Sequence, residues 1–144
     1  MTIYLATDHA GYQLKEKVKQ FLKEGGHYAE DLGAFTYKES DDYPDWIKPA
    51  AERISKSPSD RAIVFGGSGQ GEAMVANRYK NVRAAVLYKF DKDIVTLSRE
   101  HNDSNVLSIG AKFISDKDAF RAVKLWLATP FSEEERHKRR IAKF

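Results

Sequence analysis

Apolar residues fall along this chain in five short runs, each followed by a stretch where they recur three or four residues apart. Thr2 to Thr7 is the first run. Leu14, Val18, Phe21 and Leu22 follow at helical spacing with lysines between them, and Gly25-Gly26 ends that helix. His27 to Leu32 reads as a second strand closed by Gly33, and residues 34–45 are polar and turn-like. Pro44 suits the first turn of a helix through Trp46, Ile47, Ala50, Ala51 and Ile54, which Pro49 kinks or interrupts. Arg61 to Phe65 is the third strand, and its helix runs to about Tyr79. Val82–Leu87 is the fourth strand and Asp91 to about Glu100 its helix; Asn105–Ile109 is the fifth, stopped by Gly110, with a helix over Asp116–Leu127. Thr129-Pro130 breaks the pattern, and Ser132 with Glu135 forms a capping box for a last, basic helix over 132–143.

Strands that are apolar nearly throughout and alternate with helices predict a parallel sheet covered on both faces. Right-handed crossovers make it doubly wound. We expect a strand order beginning 2-1-3, with strands four and five unordered. Ligands in such folds sit beyond the carboxyl ends of the strands. The length of 144 residues fits a single domain over 1–144. No apolar run reaches membrane-spanning length, and the first residues lack a signal-peptide pattern, so the expectation is cytoplasmic with no membrane partner. The absence of cysteine excludes disulfides, a thiolate nucleophile and a thiolate metal site. A net charge of +3 is compatible with a small anionic ligand and does not by itself select nucleic acid.

Four of the nine glycines lie in Gly66-Gly67-Ser68-Gly69-Gln70-Gly71-Glu72, between the third strand and its helix. Outward backbone amides and the positive helix end make this an anion cradle, with the carboxylate of Glu72 in the first helical turn. With strand one beside strand three, Asp8-His9 faces this loop. Asp8 reads equally as a helix cap or as a group handling sugar hydroxyls, and His9 as a loop histidine or an anion contact. His101-Asn102 ends a helix, where a histidine is favourable and also well suited to proton transfer. Arg136 and Arg140 share one helical face, the spacing that grips a phosphate; the same basic helix is a weak candidate for nucleic acid, being short and without interleaved aromatics. No metal motif is present, and the loop lacks both the Gly-Lys-Ser/Thr ending of a P-loop and the full dinucleotide fingerprint. The set matches aldose–ketose interconversion: a base for the proton between adjacent carbons, amides for the enediolate oxygen, a ring-opening group and a cationic clamp.

Asp8-His9-Ala10-Gly11, Asp42-Tyr43-Pro44, Gly67 to Glu72, Arg99-Glu100-His101-Asn102 and Arg136-His137-Lys138-Arg139-Arg140 resemble, in register over the whole chain, the type B ribose-5-phosphate isomerases and the galactose-6-phosphate isomerase subunits. The resemblance implies a Rossmann-like three-layer sandwich with a five-stranded parallel sheet. It also implies no cofactor or metal, and a homodimer with shared sites, sometimes paired into tetramers. Its members use as base either a cysteine after the third strand, which Gly66 replaces here, or a glutamate matched by Glu72. It further implies ring opening by His101 assisted by Asp8, and an anion hole from Gly67, Ser68, Gly69, Gln70 and Gly71, with Ser68 near the migrating hydroxyl proton. Asn102 would contact the sugar, and His9, Arg136 and Arg140 the phosphate. His101 and Asn102 would serve the partner's Glu72. Lys112 stands where the family usually has a phosphate-clamp arginine, which leaves ribose 5-phosphate and six-carbon sugar phosphates both open as substrates. A non-catalytic sugar-phosphate binder is the alternative class.

Overall fold

A computed structural model describes residues 1–144. The strands are β1 (Ile3–Thr7), β2 (Ala29–Asp31), β3 (Arg61–Gly66), β4 (Ala84–Leu87) and β5 (Val106–Gly110). The helices are α1 (Tyr12–Glu24), α2 (Tyr43–Lys56), α3 (Gln70–Ala76), α4 (Lys92–Glu100), α5 (Asp116–Ala128) and α6 (Glu135–Ile141). All strand pairs are parallel, in the order β2-β1-β3-β5-β4. The expected 2-1-3 start is present, and β5 lies inside β4.

Side-chain alternation divides the core between the two faces of the sheet. Ile3 and Leu5 of β1 with Ile63 and Phe65 of β3 pack under α1, α4 and α5, around Val18, Val95, Val123 and Trp126. Tyr4, Ala6, Ala62 and Val64 point the other way, against Ile47, Ala50, Ala51 and Ile54 of α2 and Ala76 of α3. The result is the helix–sheet–helix sandwich that near-continuous apolar strands require. Pro49 lies inside α2, which stays continuous through it.

Two local expectations need correction. Helix α3 stops at Ala76, short of Tyr79, because the chain turns there into β4, with Asn77 bonded through its side chain to both the N–H and the carbonyl of Ala84. The Ser132–Glu135 capping box does not form. Glu134 occupies the N-cap without a side-chain bond to the helix amides, and the Ser132 N–H instead donates to the Glu100 carbonyl at 3.2 Å, docking the tail on the end of α4.

Lys15 breaks the polar pattern of α1, since its side chain is fully buried. Its ammonium group donates to Asp31 Oδ1 at 2.6 Å, Asp31 Oδ2 at 2.8 Å and the Ala34 carbonyl at 2.8 Å. Burial alone would raise the Asp31 carboxyl, but the bonds from Lys15, Lys19 and the Gly33 amide hold it below its usual value. Replacing Lys15 by Met leaves the Ala34 carbonyl without its ammonium donor and Asp31 with only Lys19 and the Gly33 amide. The expected cost is about 3 kcal/mol, measured by urea denaturation. A loss under about 1 kcal/mol, the range of an exposed pair, would show the network to be incidental.

Candidate active site

At the carboxyl end of the sheet Thr7 is in register with Phe65, and Gly66 with Gly110, so the chain after β1, β3 and β5 converges. Asp8, His9, the glycine loop, Glu72 and Lys112 all lie here. Asp8 does cap the short turn that follows, accepting from the Ala10 N–H at 2.9 Å, and it stands close enough to Glu72 to raise the latter's carboxyl by charge repulsion. The capping reading of Asp8 is thus observed, in a side chain that also borders Glu72.

Gly66 and Glu72 form the tightest contact in the site. A β-carbon at Gly66 would lie 2.6 Å from Glu72 Oε2 and nearer still to Oε1 and the carboxyl carbon. Only a glycine leaves that seat open. Glu72 is 4% exposed, and burial is the main reason its carboxyl sits above the ordinary value; its own backbone N–H pulls the other way, and Asp8 adds repulsion. Gly69 turns the loop with φ +77°, where a β-carbon would lie 3.0 Å from the Ser108 carbonyl oxygen and the Gly110 amide nitrogen, and Ser108 Oγ donates to the Gly69 carbonyl at 2.6 Å. The amides of Gly67, Ser68 and Gly69 donate to no protein acceptor, while the Gln70 amide donates to Ser68 Oγ at 3.3 Å. Three consecutive free amides beside a buried carboxylate form an anion-binding concavity. The Lys112 side chain lies along Gly67, and the Tyr43 ring packs on Gly71.

His9 has a partner that sequence reasoning missed. Its Nδ1 lies 2.7 Å from Asp41 Oδ1, and its backbone N–H donates to the same oxygen at 3.0 Å. A carboxylate accepts only, so Nδ1 carries the proton and Nε2 makes no hydrogen bond within the chain. The Asp41 bond is the main reason the imidazole is raised above its ordinary value; burial opposes it, and Asp8 adds to it. Ligand-type atoms of Asp8, His9 and Asp41 lie within 4.8 Å of one another. Asp41 uses one oxygen for His9 and the other for Trp46, and Asp8 Oδ1 accepts from Ala10, so the three side chains form a hydrogen-bonded clamp. The only trace of Asp41 in the sequence is an acidic pair before Tyr43-Pro44, which does not say which aspartate turns toward His9.

The remaining predicted residues lie at the opposite end. Helix α4 runs back from the carboxyl ends of the strands, so His101 and Asn102 lie beside the start of β5, roughly 15 Å of strand from the glycine loop. Helix α6 is at the same end. Arg99 Nε donates to the Thr129 carbonyl at 3.1 Å, and the His137 ring stacks on His101 with centroids 4.2 Å apart and planes 18° apart. His137 is buried with Nε2 unpartnered; burial, then the charges of His101 and Arg136, hold it below its ordinary value. Arg136 is exposed and donates to Glu134 at 2.7 Å, and Arg140 is exposed one turn on. One chain thus brings together Asp8, His9, Gly67, Ser68, Gly69, Gln70, Gly71, Glu72 and Lys112. It separates them from His101, Asn102, Arg136 and Arg140.

A doubly wound sheet with a carboxylate beside free loop amides is the arrangement of a sugar-isomerising site, and the comparisons agree. The sequence profile of the Ribose/Galactose Isomerase family matches residues 3–144, and the chain belongs to that family. It is an aldose–ketose isomerase of the type B ribose-5-phosphate isomerase group. The chain is similar to ribose-5-phosphate isomerase B of Mycobacterium leprae (strain TN), 40% identical over 141 residues that span 98% of this chain and 86% of the relative. It superposes on the crystal structure of a ribose 5-phosphate isomerase from Thermotoga maritima with TM-score 0.91 and 39% identity, covering 99% of this chain and 95% of the other. It superposes on the Mycoplasma genitalium enzyme with bound ribulose-5-phosphate with TM-score 0.93 and 34% identity, covering 99% and 92%. No helix is long and apolar enough to cross a membrane.

Gly66→Ala drives a methyl group into the seat of Glu72. We expect a loss of about 1–3 kcal/mol in urea denaturation, the usual cost of overpacking. Adding Glu72→Ala should restore most of that stability and none of the activity. Simple additivity of the two substitutions would contradict the contact.

Proposed function

We propose that the chain interconverts ribose 5-phosphate and ribulose 5-phosphate with Glu72 as the base, in a site shared between two copies. The observation that carries this reading is the buried Glu72 carboxylate seated on Gly66 beside three free amides. Glu72 takes the proton from C2 of the open-chain aldose and returns it to C1. The amides of the glycine loop receive the oxygen that becomes negative in the enediolate, where a fixed donor contributes roughly 3–4 kcal/mol. Ser68 lies near the migrating hydroxyl proton. A raised carboxyl suits the task, because a base closer to neutral accepts a carbon-bound proton with a smaller penalty.

Ring opening needs a proton donor and acceptor on the furanose, and His101 with Asp8 supplies them only if His101 comes from a second copy. Asn102, Arg136 and Arg140 arrive with it. His9 and Lys112 meet the phosphate from the first copy. Exposed apolar side chains support such a contact: Tyr88 and Phe113 pair edge to face while 52% and 65% exposed, and Met74 and Ile94 are also largely exposed.

Glu72→Gln tests the base. It should lower kcat/KM on ribose 5-phosphate by about 10²- to 10⁴-fold and stop deuterium incorporation from heavy water into the sugar. Retained turnover would remove Glu72 from the role. Stability gives a second readout. The folded carboxyl lies above its unfolded value of 4.5, so wild-type stability falls as pH rises through that window. Glu72→Gln should therefore melt higher than wild type at neutral pH, and no higher below the unfolded value, where both side chains are neutral.

A further inference from the structure

The aspartate that holds His9 is itself held. Asp41 uses Oδ1 for His9, and its Oδ2 accepts from Trp46 Nε1 at 2.9 Å. Asp41 ends an irregular, exposed segment over 35–40 in which its N–H donates to the Lys38 carbonyl at 3.0 Å, and its carboxylate reaches inward to His9 and Trp46. Trp46 lies in the first turn of α2 and is well anchored. A β-carbon at Gly33 would collide with the indole six-membered ring, and Phe35 meets that indole edge-on with centroids 6.1 Å apart. The Gly33–Ala34 backbone is pinned in turn. Thr7 N–H donates to the Gly33 carbonyl, Ala34 N–H donates to the Thr7 carbonyl, both at 2.8 Å, and Lys15 donates to the Ala34 carbonyl. An unbroken line of contacts therefore runs from the buried Lys15 and the end of β1, through the indole, to the Asp41 carboxylate and His9.

We propose that Trp46 is a positioning residue for phosphate binding: its indole N–H locks the Asp41 carboxylate, and Asp41 in turn aims His9 Nε2 at the phosphate of the substrate. The proposal rests on the reading of His9 as a phosphate ligand. With both oxygens engaged the carboxylate has one orientation, which fixes the tautomer and plane of the imidazole. Removing the indole donor frees the carboxylate to rotate and to exchange His9 for water. The charged and titratable groups around His9 are Asp41, Asp8 with Oδ2 at 3.9 Å, and Glu39; the Tyr37 ring stands edge-on with centroids 6.2 Å apart. All three charges are acidic and favour the imidazolium. His9 therefore keeps its positive charge to higher pH than a free histidine, and its grip on a phosphate weakens as pH rises through that raised value.

Trp46→Phe is the direct test, since it keeps an aromatic ring over Gly33 and deletes the N–H. The His9 imidazole, followed by NMR titration, should move down toward the ordinary histidine value. KM for ribose 5-phosphate should rise about 3- to 10-fold with kcat nearly unchanged, as expected for one lost hydrogen bond acting on binding. In an Asp41→Ala background Trp46→Phe should add nothing to either readout. An unmoved His9 titration in Trp46→Phe overturns the proposal. A moved titration with an unchanged KM sustains the positioning role and instead removes His9 from the phosphate site. The link can also be read without touching Trp46: in Asp41→Ala the indole N–H resonance should lose its hydrogen-bonded downfield shift. An indole resonance indifferent to Asp41 contradicts the proposal even if Trp46→Phe fails to fold.

Discussion

The direction of a parallel sheet is the constraint on which the rest of this molecule depends. Every strand enters from one end, and every helix carries the chain back. Groups that follow a strand therefore collect at one end of the molecule, and groups that follow a helix collect at the other. Asp8, His9, the glycine loop and Lys112 follow strands; His101 and Asn102 follow α4. Helix α6 joins the second group because Arg99 and the Glu100 carbonyl tie residues 129–132 to the end of α4. No side chain spans the strands between the two groups. The proposed site uses both, and so calls for two chains, each presenting its carboxyl-end loops to the other's helix-end histidine and arginines.

Within the carboxyl-end group, charge is arranged against the grain of stability. Glu72 is buried with Asp8 as its nearest charged influence, and no cation neutralises it in the chain. The fold accepts this because Gly66 gives the carboxylate a seat shaped to it and because the free amides of the loop leave the surroundings electropositive. His9 is treated in the opposite way, surrounded by three carboxylates that keep it charged. One group is thereby pushed toward accepting a proton, and the other is kept positive for an anion. In the proposed mechanism these two titratable groups in adjoining loops, moved upward for different reasons, divide the work of base and clamp.

Much of the fold was legible in the sequence, because short continuous apolar runs and helices of period 3.6 report burial directly. All five strands and six helices were placed, and the adjacency of strands one and three brought Asp8 and the glycine loop together correctly. What escaped was information carried by side-chain direction and tertiary partners. Lys15 reads as a solvent-facing lysine among others, yet it is buried by a carboxylate sixteen residues on. Asp41 reads as a turn residue, Trp46 as helix core and His137 as part of a basic tail. Asp41 meets His9 and His137 meets His101 through chain crossings, and Trp46 meets Asp41 through a turn geometry, none of which a periodic pattern encodes. The capping box at Ser132 failed for the same reason, a tertiary bond to Glu100 having replaced the local one.

The claim that the site belongs to two chains has a direct measurement. Glu72→Gln and His101→Ala chains, each expected to be inactive alone, are mixed, dissociated and reassembled, and ribose 5-phosphate turnover is assayed. In a mixed pair one site inherits both lesions and the other inherits neither, so random reassembly should recover about a quarter of wild-type activity. Recovery of that size is the predicted result. A mixture as inactive as its components, with mixed pairs shown to have formed, would contradict the account and return Glu72 and His101 to separate roles.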